Sequence, residues 1–323
     1  TVMTRYGLQE GVVRGYNPAK RGRASHHPLM AFVADLRMIA NCWLRSGNSS
    51  SANNVQAFLA NTLHRLGDKR VCLLRADSGF SDSAFLDHLD TQPMHYIIAL
   101  RQNQPLQRAL VHAETWWPLI DEDNRPVPGI ELTRFAYQPE AWSKPRWVVG
   151  IRQHTALRAA PKGKALNLFA DDPVIGSWRF SALTTDLDLP AETVWRMYRG
   201  RADCENRIKE LKYDFAADSF NMKDFWATEA ALNVVMLAYN LMSLFRQVLL
   251  KTSLVRSSPA PVQHTLQTLR YKLFAKAAYI TTEARKPILN LAVALQQRVW
   301  MKGLWEATNT FDLPAKFSPI YPP

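Results

Sequence analysis

Val71-Cys-Leu-Leu-Arg-Ala-Asp77-Ser-Gly79-Phe80 is a short apolar run that ends in a carboxylate just before a Ser-Gly turn. Apolar, branched residues followed by turn residues predict a strand. In open α/β sheets, ligand-binding groups gather beyond the carboxyl ends of the strands, so Asp77 is placed for chemistry. Downstream, Ser83 to Leu89 reads as a helix and His95 to Leu100 as a second strand. Strand, helix, strand in this order predicts a βαβ unit within a mixed α/β sheet.

Working toward the N-terminus, Ser51 to Leu66 carries Val55, Phe58, Leu59, Leu63 and Leu66 at helical spacing, with serines available as caps. Pro28 to Trp43 is apolar and predicts two successive strands. Residues 5–28 set Arg5, Arg14, Lys20, Arg21 and Arg23 among Gly15, Pro18 and Gly22. That is turn chemistry carrying positive charge, read either as a solvated loop or as an arm that contacts phosphate, with Lys20, Arg21 and Arg23 as candidate DNA contacts. His26-His27 has no metal-ligand spacing, and His27 before Pro28 reads as a structural turn.

Toward the C-terminus the character changes over residues 104–176. Trp116 and Trp117 precede Pro-rich loops, and Gly129–Tyr137 with Arg146–Gln153 reads as a hairpin, which predicts an inserted β-rich subdomain. Trp178–Thr185 is a further strand. Pro190 and Glu192 open a helix whose helical character runs on to about Leu250. Four regions result: 1–103 and 177–250 as the two parts of a core, 104–176 as the insertion, and 251–323 as a basic region of mixed character.

The composition is that of a folded chain, and its charge suits a polyanionic partner, although many basic proteins of this size bind none. Of 323 residues 47% are hydrophobic, enough for a sizeable core, and 40 Lys+Arg against 28 Asp+Glu give a net charge of +12. Cys42, Cys72 and Cys204 are scattered, without Cys-x-x-Cys spacing, so neither a zinc site nor a disulfide framework is expected and a reducing cytoplasm is the natural compartment. Ala227 to Leu250 is the longest apolar stretch; Glu229, Asn233, Asn240 and Arg246 interrupt it, so it reads as a buried core helix and no membrane partner is expected. The chain opens at Thr1 without a methionine, as a fragment or a truncated gene product would.

The densest chemistry lies in Trp195-Arg-Met-Tyr198-Arg-Gly-Arg201-Ala-Asp-Cys-Glu205-Asn-Arg-Ile-Lys209-Glu-Leu-Lys212. On one continuous helix with Tyr198 at zero, Arg201, Glu205 and Lys212 fall near about 300°, 340° and 320°, so the four share a stripe of about 60° with Lys209 at its border. Met197, Cys204, Ile208 and Leu211 form an apolar flank beside it. Most charged helical stripes are solvated faces with ordinary ion pairs. Here a single acid stands among cations that can also meet phosphates.

Tyr198, Arg201, Glu205 and Lys212 satisfy Tyr-x2-Arg-x3-Glu-x6-Lys, the signature of a large branch of insertion-sequence DDE transposases. The surrounding Tyr198–Phe215, together with Gly15-Tyr-Asn-Pro18, Ser25-His-His-Pro28 and Leu74-Arg-Ala-Asp-Ser-Gly-Phe80, resembles the insertion sequence thirteen-eighty group of bacteria over most of residues 5–250. The resemblance implies an RNase H-like mixed sheet with flanking helices, interrupted by a β-rich insertion. It also implies Mg²⁺-dependent cleavage and strand transfer at the ends of an insertion sequence. Asp77 matches the second catalytic aspartate and Glu205 the catalytic glutamate; as metal ligands they would hold two Mg²⁺ ions, with Mn²⁺ as substitute. Arg75, Arg201, Lys209 and Lys212 would contact DNA, and Tyr198 would position the strand. The implied partners are double-stranded DNA with terminal inverted repeats and a second copy in a synaptic homodimer, at the nucleoid in the cytoplasm.

One position departs from the pattern. The first aspartate of the family would fall just upstream of Thr1, and Asp35 is a poor substitute. The alternative is therefore a truncated, non-catalytic DNA-binding or dimerising remnant. An RNase H-like nuclease unrelated to transposition ranks last, because it leaves the Tyr-Arg-Glu-Lys spacing as coincidence. Trp116, Trp117 and Trp178 are candidates to stack on an unpaired base, although core packing is the more usual fate of such residues.

Overall fold

The structure is a computed structural model, and it describes residues 1–18, 20–157, 172, 175–220, 222–248 and 264–311. The chain divides into two compact units, one of Thr1–Ala31 with Ala40–Glu205 and one of Phe32–Ile39 with Asn206–Pro323.

The first unit is built on a six-stranded mixed sheet. Its strands are β6 (Leu73–Ala76), β7 (His95–Ala99), β8 (Trp117–Ile120), β9 (Pro126–Tyr137), β10 (Arg146–His154) and β11 (Trp178–Thr185), in the order β6-β7-β11-β10-β9-β8. β6 and β7 run parallel with Leu73 opposite His95, and the other neighbours are antiparallel, with Val149 of β10 facing Leu183 on one side and Arg134 on the other. The βαβ unit around Asp77 is thus present, with α2 (Ser83–Leu89) as its crossover.

Helices cover both faces of this sheet. On one face α1 (Val55–Leu66), α2 and α3 (Gln104–Val111) bring Leu59, Phe85, Leu86, Leu106 and Leu110 onto Ile98, Val148 and Ala182. On the other, α4 (Ala191–Arg199) presses Ala191 and Val194 onto Ile97, Leu132, Val149 and Leu183. Side chains alternate across a strand, so β10, apolar at Val148, Val149 and Ile151, feeds both layers.

That two-sided burial explains a difference from expectation. The β-rich segment anticipated as an insert over 104–176 contributes β8, β9 and β10 to the main sheet, and has no sheet of its own among the described residues. Residues 158–171 and 173–174 of that segment lie outside the described residues.

A small antiparallel sheet, β1 (Met3–Thr4), β3 (Ala24–His26) and β2 (Val13–Arg14), also belongs to this unit. His26 and His27 are buried there as structural groups: His27 Nδ1 meets Ser49 O at 3.1 Å, and His26 Nε2 meets Glu10 O at 2.9 Å. The two strands expected between Pro28 and Trp43 are β4 (Leu29–Val33) and β5 (Met38–Trp43), and Asp35 stands exposed in the turn between them.

The second unit carries α6 (Phe225–Val248), α7 (Leu266–Leu269), the hairpin β12 (Ala278–Glu283) with β13 (Lys286–Leu291), and α8 (Leu295–Thr310). The long helix expected from Pro190 to Leu250 is three helices: α4, α5 (Ala202–Asp214) and α6. Nor is α6 a fully buried core helix. Leu232, Met236 and Tyr239 are buried, whereas Trp226, Val234, Leu237 and Leu241 are exposed. By length and composition alone, Phe225–Gln247 would suffice to cross a membrane. Its polar groups grip the tip of the β4–β5 hairpin instead: Asn240 bonds both the N–H and the carbonyl of Ile39, and Ser243 donates to Arg37 O. Of the basic C-terminal region, residues 251–263 and 312–323 lie outside the described residues.

Candidate active site

Asp77 leaves the carboxyl end of β6 in extended conformation and caps a single 3₁₀ turn, Ser78–Phe80, by accepting the Gly79 N–H on Oδ1 at 2.9 Å. Two further features hold that turn. Arg101, just beyond β7, donates to Ser78 O at 3.0 Å and to Gly79 O at 3.2 Å. Ser51 lies so close to Gly79 that a Cβ there would meet its Oγ at 2.6 Å, so this position excludes any side chain. Asp77 Oδ2 is left facing outward from the end of the strand.

The corner between α4 and α5 meets it. Gly200 closes α4, the Arg201 N–H bonds Tyr198 O at 2.9 Å, and α5 starts anew at Ala202 with Asp203 and Glu205 in its first turn. Acidic residues there complement the partial positive charge of a helix N-terminus. Arg201 projects from the corner and donates from Nη2 to Asp77 Oδ2 at 3.0 Å and from Nη1 to Glu205 Oε1 at 3.4 Å. One guanidinium thus bridges two carboxylates that would otherwise repel each other. Asp77 and Glu205 remain about half exposed, at 46% and 62%, so both are open to an incoming ligand.

Tyr198 completes the cluster from the last turn of α4. Burial holds its phenol protonated above the ordinary range; Arg201 opposes this, and Asp77 and Glu205 add to it. The thiol of Cys204 is likewise pushed up by burial, which disfavours thiolate chemistry beside the carboxylates.

The remaining candidates do not touch the two carboxylates. Arg75, expected to contact DNA, turns its Nη1 to Met197 O at 2.6 Å. Lys20 bonds the Tyr6 hydroxyl and, with Arg23 at 5.6 Å from the ring centroid, gathers on the Tyr6 ring in the loops around the three-stranded sheet; Arg21 is exposed beside them. Lys209 and Lys212 lie in the second unit. Lys209 is exposed, and Lys212 is half-buried with its pKa lowered by burial and supported by Asp218. The single-helix stripe from Tyr198 to Lys212 is broken at Gly200–Arg201, because the chain turns there.

Trp116 and Trp178 are not free platforms: each ring lies 4.6 Å from the Arg152 guanidinium, which also pairs with Glu131. Trp117 packs in the core beneath α4. Reasoning from sequence missed Arg101, whose only signal was its place immediately after a strand end, where ligand-binding groups gather.

A family model described as Transposase DDE domain group 1 matches residues 1–309. The chain belongs to the DDE transposase domain family. Among solved structures, this transposase-family chain is similar to the piggyBac transposase synaptic complex with hairpin DNA, at a TM-score of 0.41 and 12% identity. The similarity covers 75% of this chain and 46% of the other, so the chain spans less than half the length of that relative. No curated protein matches it.

Proposed function

We propose that this DDE transposase chain is the DNA-cleaving core of a bacterial insertion-sequence transposase of the thirteen-eighty group. In this reading the six-stranded sheet and its flanking helices are an RNase H-like core, and Asp77 and Glu205 are its paired catalytic carboxylates. The observation that carries the reading is Arg201, which reaches across 124 residues of sequence to an aspartate at a strand end while also holding a glutamate in the first turn of a helix.

The family implies divalent ions at such a site. Asp77 Oδ2 and Glu205 Oε1 both meet the Arg201 guanidinium, and hard oxygen donors of this kind suit Mg²⁺, or Mn²⁺ in its place, with water and substrate phosphate completing the sphere. The residues present therefore fit a shared ion. Bound ions would supply Lewis-acid stabilisation of charge at phosphorus and its oxygens. The protein's own part is positional. Arg101 and the Gly79 N–H fix the Asp77 carboxylate, Arg201 is placed to pass from the carboxylates to a phosphate, and the protonated Tyr198 offers a hydroxyl to the strand. Lys20, Arg21, Arg23, Lys209 and Lys212 are the proposed contacts along double-stranded DNA bearing terminal inverted repeats. Two copies would act in a synaptic homodimer at the bacterial nucleoid.

A second reading is a chain that binds DNA, or pairs with a full-length relative, without cutting. Its support is that no group of three or more metal-ligating side chains forms among the described residues. Nicking of a labelled duplex carrying the element's terminal repeat in Mg²⁺ separates the two. The chain as given is compared with an upstream-extended form and with Glu205→Gln of that form. Cutting by the extended form, lost in Glu205→Gln, supports the enzyme; binding without cutting supports the remnant. Cutting by Glu205→Gln sinks the assignment of the site.

A further inference from the structure

The last carbonyls of a helix lack intrahelical donors, and those of α4 lie just before the corner that carries Arg201 and Glu205. Both the Gly200 N–H and the Arg201 N–H go to Tyr198 O, which leaves Met197 O to a side chain. That side chain is Arg75, whose Nη1 donates to Met197 O at 2.6 Å across 122 residues of sequence. Its guanidinium lies against Gly200, where a Cβ would stand 2.5 Å from Nη1. Gly200 has φ −58°, ordinary helical backbone, so glycine is required there for space rather than for conformation. A cation on a helix C-terminal carbonyl also complements the helix dipole.

Arg75 precedes Asp77 by two residues on β6, and Met197–Gly200 immediately precedes Arg201. We propose that Arg75 is a positioning residue: it ties the strand that ends in Asp77 to the corner that presents Arg201 and Glu205, and Gly200 is the seat that admits it. This rests on Asp77 and Glu205 being the catalytic pair. The effect of Arg75 passes through the corner and not through the substrate.

The test compares the full chain, in the form that cuts, with Arg75→Ala, Arg75→Lys and Gly200→Ala. The readouts are amide hydrogen exchange over 197–205, affinity for a plain duplex and the cleavage rate. Gly200→Ala is the control for folding, because alanine favours helix and its Cβ displaces only the tip of a flexible side chain. Arg75→Ala and Gly200→Ala are expected to speed exchange over 197–205 by about tenfold or more. They should slow cleavage by about tenfold with duplex affinity held within about twofold, and Arg75→Lys should recover part of both losses. Unchanged exchange in both Arg75→Ala and Gly200→Ala overturns the proposal. So does a severalfold loss of duplex affinity without faster exchange, which would make Arg75 a phosphate contact. Glu205→Gln in the same assay judges the catalytic pair separately: retained cleavage there defeats that assignment while the exchange data still decide whether Arg75 holds the corner.

Discussion

At Arg201 one guanidinium, only 21% exposed, separates two carboxylates that are themselves well exposed. Exposed pairs of this kind contribute little to folding, below about 1 kcal/mol, because water screens them. Arg201→Ala should therefore move the melting temperature only slightly while lowering DNA cleavage by about 100-fold through lost stabilisation of phosphate charge. A large drop in stability with cleavage retained would show Arg201 to be a structural strut. His26 and His27 behave in the opposite sense. Burial, the largest cause in each, lowers both pKa values below the ordinary 6.5. A depressed histidine pKa means that the unfolded chain takes up protons first as the pH falls. The stability they confer is full above the unfolded value and drains away as acid passes through it. Denaturant melts from about pH 7 to about pH 5 should show falling stability, and replacing both histidines with glutamine should flatten that slope.

Among the elements, Arg146 at the start of β10 shows how a crossover helix is held on its sheet. Its buried guanidinium reaches Asp87 and Asp90 of the α2 segment at 2.6 Å each, and Ser143 also bonds Asp87. Arg146 lies opposite Tyr137 on β9, so the contact joins helix to strand away from the candidate active site. Arg146→Ala removes one partner of the poorly exposed Asp90, which keeps Lys144 at 3.1 Å and the Tyr96 hydroxyl at 3.0 Å, and should cost about 2 kcal/mol in denaturant unfolding. Cleavage per folded molecule should stay unchanged. The α4–α5 corner illustrates the converse. Had the two been one helix, Arg201 would have shared a face with Lys212; the break at Gly200 gives it to Asp77 instead.

Over the whole molecule the net charge of +12 sets how the chain meets a polyanion. Binding to duplex DNA should weaken steeply with salt, since each neutralised phosphate releases counterions. Lys20, Arg21 and Arg23 stand in the loop before β3, Lys20 and Arg23 over the Tyr6 ring. Replacing all three with alanine should lower the logarithmic salt slope by about 2–3 and weaken binding to all sequences alike. An unchanged slope would assign these cations to solvent.

The βαβ unit at Asp77, the strands of β4 and β5, the separation of basic from apolar stretches and the Tyr-Arg-Glu-Lys spacing were all legible in the order of residues. Each depends on neighbours within a strand or a few helical turns, where periodicity and turn chemistry act. Four things were decided only by tertiary structure: the joining of β8–β10 to the main sheet, the break at Gly200, the clamp of Arg101 on the Asp77 turn, and the use of Arg75 on Met197 O. The physical reason is distance along the chain. A helix ends, and a guanidinium chooses its carbonyl or carboxylate, according to what packing brings beside it from more than a hundred residues away, as at Arg75 and Arg201. No local pattern records that.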